Sequence, residues 1–225
     1  PAVAAAPEKQ VNPHAHEPVT HHAVSEFKTD KKGKRTIHVG DDNGQVLNMR
    51  VVPDEEKTLA VTGWDEKGNY ERECYIIPEY VVIGEDTYIV KHIDENAFRD
   101  SGFAGSDKKI KEIVFPATLE TIGAFSFFNR WGITEIVLPE NLRSVGKMAF
   151  RAAGVKADFR QLYIPKGIRE IGEKAFLVVG KDTSPRGFFQ GNLTSIPDWI
   201  TTDNCTQYGI DENAVEAYEK RQAIR

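Results

Sequence analysis

The stretch Ile110-x-x-Ile113-x-Phe115-Pro116-x-x-Leu119-x-x-Ile122-Gly123-x-x-Ser126-Phe127 recurs as Ile133-x-x-Ile136-x-Leu138-Pro139-x-x-Leu142-x-x-Val145-Gly146-x-x-Ala149-Phe150. A third copy follows as Phe159-x-x-Leu162-x-Ile164-Pro165-x-x-Ile168-x-x-Ile171-Gly172-x-x-Ala175-Phe176. The phenylalanines that close the copies stand 23 and then 26 residues apart. A period of this length is the mark of stacked repeats, in which one coil cannot bury its own apolar face and stability resides in the stack.

Each position has a physical role. Alternation of Ile113 and Phe115 inward with Val114 outward is the two-residue period of a short strand, and successive copies stack such strands into a parallel sheet. Proline after the strand lacks an N–H, ends the hydrogen-bond ladder and holds the preceding residue extended. Leu119 and Ile122 turn the chain back over the core. Gly123 is expected to serve a turn that needs positive φ. The small Ser126 or Ala149 lets the coil close, and the following Phe fills its interior at a gain of roughly 1.5–3 kcal/mol per ring.

Outward from these copies the pattern degrades at both ends. Tyr75-x-Ile77-Pro78-x-x-Val81 resumes only at Ile93-Asp94-x-x-Ala97-Phe98, and the intervening Val82–Val90 reads as a β-hairpin insertion around Gly84. The last copy, Leu193-Thr194-Ser195-Ile196-Pro197-Asp198-Trp199-Ile200, is expected to lose register after its proline and to lead into a polar helix from Glu212. Between Phe27 and Val46, β-like runs flank two turns, Lys31-Lys32-Gly33-Lys34 and Asp41-Asp42-Asn43-Gly44, which predicts a small antiparallel sheet. Residues 1–22 are rich in Ala, Pro and His and read as a flexible lead.

From about residue 46 onward the pattern resembles the BspA-like leucine-rich repeat of bacterial surface proteins. Asp94 stands where that family has Gly, Ser126 where it has Ala, and the cysteine often found after Ala-Phe is absent. The resemblance implies an α/β-type solenoid: a right-handed leucine-rich-repeat coil with a short-stranded parallel sheet, an N-terminal antiparallel β cap and a C-terminal helical cap. The domains read from the sequence are the lead (1–22), the β-rich cap (23–73), the solenoid (74–205, hairpin insertion 82–90) and the helical cap (206–225). It also implies surface display and adhesion to other proteins, host extracellular proteins included. The expected location is therefore extracytoplasmic, at the cell surface or secreted, after removal of a signal segment that is not present here.

Composition narrows the function classes. The 225 residues carry 29 basic and 34 acidic side chains, a net charge of -5 with no basic stripe, which disfavours nucleic acid as a partner. No apolar run is long enough to span a membrane. Cys74 and Cys205 are the only cysteines, and the repeat places them toward opposite ends of the body, as idle thiols rather than a disulfide.

Chemistry-bearing constellations are few. His14, His16, His21 and His22 concentrate metal-ligand chemistry, but Pro18 and the five-residue spacing of His16 and His21 exclude the zinc helix motif, which leaves a plain tether as the preferred reading and a loose metal site as the weaker one. No nucleophile elbow, phosphate-binding loop or Cys-x-x-Cys occurs, and no cofactor is implied. His38 and His92 read as structural, and Glu55-Glu56 as solvated surface. The outward strand positions Ile76, Val114, Val137 and Tyr163 form an apolar row flanked by Glu112, Glu135 and Gln161, the candidate binding face. Two readings of that row are open: a partner surface, or strands favoured by β-propensity and covered by residues 1–45. The aromatic group Phe125, Phe127, Phe128 and Trp131 is expected to be mostly core. The function read from all this is non-enzymatic protein–protein interaction or adhesion; the alternative is a carbohydrate- or envelope-binding accessory protein using Tyr163 and Trp199. A metal-dependent role for the histidines ranks last.

Overall fold

The computed structural model describes residues 20–21, 24–29, 35–40, 44–64, 73–100, 110–181 and 183–224. Strands β1 (Thr20–His21), β2 (Val24–Thr29), β3 (Arg35–Gly40), β4 (Val46–Val51) and β5 (Thr58–Trp64) come first. β2 to β5 pair antiparallel in chain order. Alternation makes the faces: Leu47 and Met49 are buried, whereas Asn48 and Arg50 between and beyond them are only partly so. Residues 31–34 and 41–43, expected as turns, lie outside the described residues.

Strands β6 (Cys74–Ile76), β7 (Tyr80–Ile83) and β8 (Asp86–Ile93) follow. β7 and β8 form the antiparallel hairpin read from the sequence, turning at Gly84 with φ 63°. β1 runs parallel to β7, with Thr20 opposite Tyr80. Thr20–His21, within the expected lead of 1–22, thus form a strand, because the edge of β7 offers them main-chain hydrogen bonds; residues 1–19 and 22–23 lie outside the described residues.

The coils build two families of parallel strands. β8, β10 (Thr121–Ile122), β12 (Ser144–Val145) and β14 (Glu170–Ile171) pair in succession, and β5 joins β8, so the N-terminal strands and this side of the coils are one ten-stranded sheet. On the other side β6 pairs with β9 (Glu112–Val114), and β11 (Ile136–Val137), β13 (Leu162–Tyr163) and β15 (Leu193–Ser195) form a second ladder. Two features differ from expectation. Each regular coil carries two strands rather than one, because a two-residue strand such as Thr121–Ile122 reads as a turn in sequence. The expected single parallel sheet is also split between β9 and β11, where Thr134 N–H to Lys111 C=O (2.8 Å) is a remaining main-chain bond.

The turn after the second strand is where the coils approach most closely. A Cβ on Gly123 would lie 2.4 Å from Glu95 N, on Gly146 2.4 Å from Ala124 N and on Gly172 2.3 Å from Lys147 N. These glycines are needed for backbone proximity to the preceding coil, and not for positive φ as the sequence suggested. The left-handed residues instead sit two positions later, at Asn96, Phe125, Met148 and Lys174, and six positions later, at Asn129, Ala152 and Val178. That geometry aims alternate N–H groups along the stack: Phe125 to Lys147 C=O (3.0 Å), Phe127 to Ala149 C=O (2.7 Å), Phe150 to Ala175 C=O (2.9 Å).

Inside this ladder the phenylalanines form a column. Phe98 stacks on Phe127 (5.2 Å between centroids), Phe127 on Phe150 (5.0 Å, 5° between planes) and Phe150 on Phe176 (5.8 Å, 8°). Phe115 meets Phe127 edge-on at 5.5 Å. Ser126, beside the column, is fully buried, and its hydroxyl has no hydrogen-bond partner. Of the aromatic group expected as core, Phe127 is; Phe125, Phe128 and Trp131 are half-buried.

The stack is closed off at both ends. Trp64 of β5 covers Phe98 at 5.0 Å, and Arg50 of β4 clamps Asp94 with two bonds of 2.6 and 2.8 Å. At the other end the last copy keeps its proline turn, with Ile200 N–H to Pro197 C=O (3.1 Å) as Leu119 to Pro116 (3.1 Å), and leaves the register of the earlier coils beyond it, as expected. A 3-10 turn, Cys205–Tyr208, then supplies the carbonyls of Gln207 and Tyr208 to Lys174 and Phe176 N–H (2.8 and 2.9 Å). Helix α1 (Glu212–Ala223) starts on Asp211, whose side chain accepts from Asn213 N–H, and buries Ala214, Val215 and Tyr218. Its Arg221 donates to Leu193 C=O of β15 at 2.7 Å.

Two substitutions beside the aromatic column should move stability in opposite directions in urea unfolding. Gly146→Ala drives a methyl into the Ala124 backbone and should cost about 3 kcal/mol. Ser126→Ala removes an unsatisfied buried hydroxyl and should stabilise by about 1 kcal/mol.

Candidate functional site

Parallel register brings the expected face residues together in two groups. Ile76 stands opposite Val114, and Val137 opposite Tyr163. Ile113 and Phe115 pack on the core from either side of Val114, so Val114 points outward. It is nevertheless only 7% exposed. Ile76, Val137 and Tyr163 are half-buried. The row therefore is not the continuous exposed apolar stripe expected: it is covered at Val114 and interrupted where β9 and β11 fail to pair.

The polar flank is ordered. Glu135, with a side chain only 11% exposed, accepts from Arg160 Nη2 (3.1 Å) and Gln161 Nε2 (2.9 Å). Gln161 Oε1 accepts in turn from Thr194 Oγ1 at 3.1 Å. Glu112 is half-buried in β9 and lies in the other group. Tyr163 donates its hydroxyl to Glu140 of the preceding coil. Burial first, and then the Glu140 carboxylate, push its phenol up to about 12 from the ordinary 10.0. Val137 and Tyr163, bordered by this chain of bonds, are the preorganised part of the face.

The histidines divide. His14, His16 and His22, and the side chain of His21, lie outside the described residues; among the described residues no group of three His, Cys, Asp or Glu could hold a metal ion. His92 does more than fill a strand. Its Nδ1 meets Thr121 Oγ1 at 2.7 Å and its Nε2 meets the Glu55 carboxylate at 3.0 and 3.1 Å. Glu55, read as solvated surface, is thus tied to His92, because the β4–β5 connection folds over β8. The order carboxylate, imidazole, hydroxyl is that of an activated nucleophile. Here it follows from strand register, since His92 and Thr121 are direct parallel partners. The row was readable in the repeat alignment: His92, Thr121, Ser144 and Glu170 each precede the aliphatic residue before the glycine position.

Cys74 and Cys205 are free thiols, as expected. Burial pushes the Cys205 thiol up to about 11. Trp199 is 36% exposed, donates Nε1–H to Ile168 C=O at 2.9 Å and meets Tyr208 edge-on. No described helix is long and apolar enough to cross a membrane.

Residues 91–199 match the family model of the BspA type leucine rich repeat region, in six copies. No curated protein matches the chain. Among solved structures, a leucine-rich repeat protein from Bacteroides capillosus is 22% identical with a TM-score of 0.44, over 56% of this chain and 82% of that one. A leucine-rich repeat protein from Bacteroides ovatus is 23% identical with a TM-score of 0.42, over 69% of this chain and 41% of that one. A leucine rich cell surface protein from Faecalibacterium prausnitzii is 15% identical with a TM-score of 0.38, over 72% and 55%.

The raised Tyr163 phenol has a definite sign. A folded value of about 12 above an ordinary 10.0 means stability that is complete below pH 10.0 and lost as pH rises toward 12. In thermal melts across that window the wild type should therefore lose stability more steeply than Tyr163→Phe; parallel slopes would contradict the assignment.

Proposed function

Over residues 91–199 the chain is a member of the BspA-type leucine-rich-repeat family, and we propose that it is a non-enzymatic surface or secreted protein whose repeat stack holds another protein. In this reading the coils form a right-handed solenoid, the β2–β5 strands and α1 are its caps, and adhesion to an extracellular protein is the role. The β11–β13–β15 ladder carries the binding face, with Val137 and Tyr163 as apolar contacts and Glu135 and Gln161 as the polar border. The observation that carries the reading is the held state of that border. Arg160, Glu135, Gln161 and Thr194 are linked by hydrogen bonds before any partner arrives, so little side-chain entropy remains to be lost on binding. Ile76, Glu112 and Val114 belong to the separate β6–β9 pair and play a lesser part, Val114 being covered.

A binding screen against immobilised extracellular-matrix and plasma proteins, with a glycan array beside it, tests this. Saturable protein binding that Val137→Asp weakens roughly tenfold or more, with an unchanged melt, is the expected result. Binding untouched by Val137→Asp would remove the site from the ladder. Binding to glycans alone would establish the carbohydrate reading in its place.

A further inference from the structure

A different side of the stack carries chemistry that the ladder face lacks. Five positions after the glycine site of successive coils stand Arg99, Phe128 and Arg151. Main-chain bonds hold them in step: Asp100 N–H to Phe128 C=O (3.0 Å) and Asn129 N–H to Arg151 C=O (2.9 Å). Both guanidinium carbons lie over the Phe128 ring, each 5.1 Å from its centroid, and Arg99 also lies 5.4 Å from the Phe125 ring. Phe125 and Phe128 are themselves 6.0 Å apart and half-buried.

Neither arginine has a carboxylate within ion-pair distance among the described residues. The Arg99 side chain donates to the neutral Asn96 Oδ1 at 3.1 Å. The nearby lysines differ: Lys147 and Lys174 share Glu173 at 3.0 and 3.2 Å. Among the described residues the two arginines thus have no carboxylate partner, in a chain whose net charge is -5. A guanidinium stacked on a ring keeps its in-plane N–H donors free, and these match a carboxylate two at a time. Two guanidiniums held beside one ring favour an anionic chain.

We propose that Arg99, Phe128 and Arg151 form a docking site for an extended acidic segment of a partner protein, separate from the β11–β13–β15 face. The two 5.1 Å legs keep the guanidinium carbons within about 10 Å of each other. Acidic side chains two residues apart on a strand rise about 6.6–6.8 Å and, with the freedom of their stems, reach both.

The test is fluorescence anisotropy of the full chain with a labelled peptide of alternating Glu and Ser, and with its Gln counterpart. Saturable binding of the Glu peptide that weakens with salt is expected, with none for the Gln peptide. Arg99→Gln/Arg151→Gln should weaken it roughly tenfold, and Arg99→Lys/Arg151→Lys, which keeps charge and loses the fork, by an intermediate factor. Circular dichroism and melts confirm folding of both. Lys220→Gln on α1 and Val137→Asp should change nothing, so this site and the ladder face can fail separately. No saturable binding by wild type, equal binding of the Gln peptide, full binding by the Gln double variant, or a sulfated oligosaccharide bound in preference would each overturn the proposal.

Discussion

Backbone-to-backbone contact between consecutive coils at the glycine positions is the constraint from which the rest follows. With a Cβ excluded within 2.3–2.4 Å at Gly123, Gly146 and Gly172, neighbouring turns come close enough for N–H groups to reach the next carbonyl. Hydrogen bonds then set the spacing, and any residue repeated at one place in the coil repeats at that spacing. This is why Phe127 and Phe150 stack within 5° of parallel. Ring pairs ordinarily prefer offset or edge-on geometry, and Phe115 supplies the edge-on contact from the opposite strand.

Such a stack has a problem wherever it starts and stops. The first turn lacks a preceding copy, and Asp94 occupies the place of the glycine. Freed from steric exclusion, that position carries a carboxylate that ties the coil to Arg50 of the N-terminal strands. At the far end a Cβ on Gly209 would again meet backbone, 2.3 Å from Leu177 N, although the residues around it no longer resemble a repeat. The geometric rule outlasts the sequence pattern that announced it.

The coil positions, the hairpin, the antiparallel N-terminal strands and the buried phenylalanines were all legible in sequence, because each depends on local spacing of apolar residues. What depended on neighbouring coils was not. Gly123 carries the same letter whether it serves a turn or a contact, and only the position of Glu95 decides. Val114 alternates correctly and is still covered. The pairing of Glu55 with His92 spans 37 residues and a loop, and the Arg99–Phe128–Arg151 row emerges only when charges and rings are placed on successive coils. Of the candidate face, Val137, Tyr163, Glu135 and Gln161 fall together as the register required; Ile76, Glu112 and Val114 fall apart from them.

The ladders, the aromatic column and the glycine contacts all run along one axis, which has a mechanical consequence. Tension applied between the two ends pulls across these contacts one coil at a time, so the molecule yields by peeling and not by a single rupture. Each coil released adds a chain length of about 75–95 Å, given a maximal reach of about 3.3–3.6 Å per residue over 23 or 26 residues. A body held at one end and loaded at the other would then lengthen in steps while the coils nearest its attachment stayed folded.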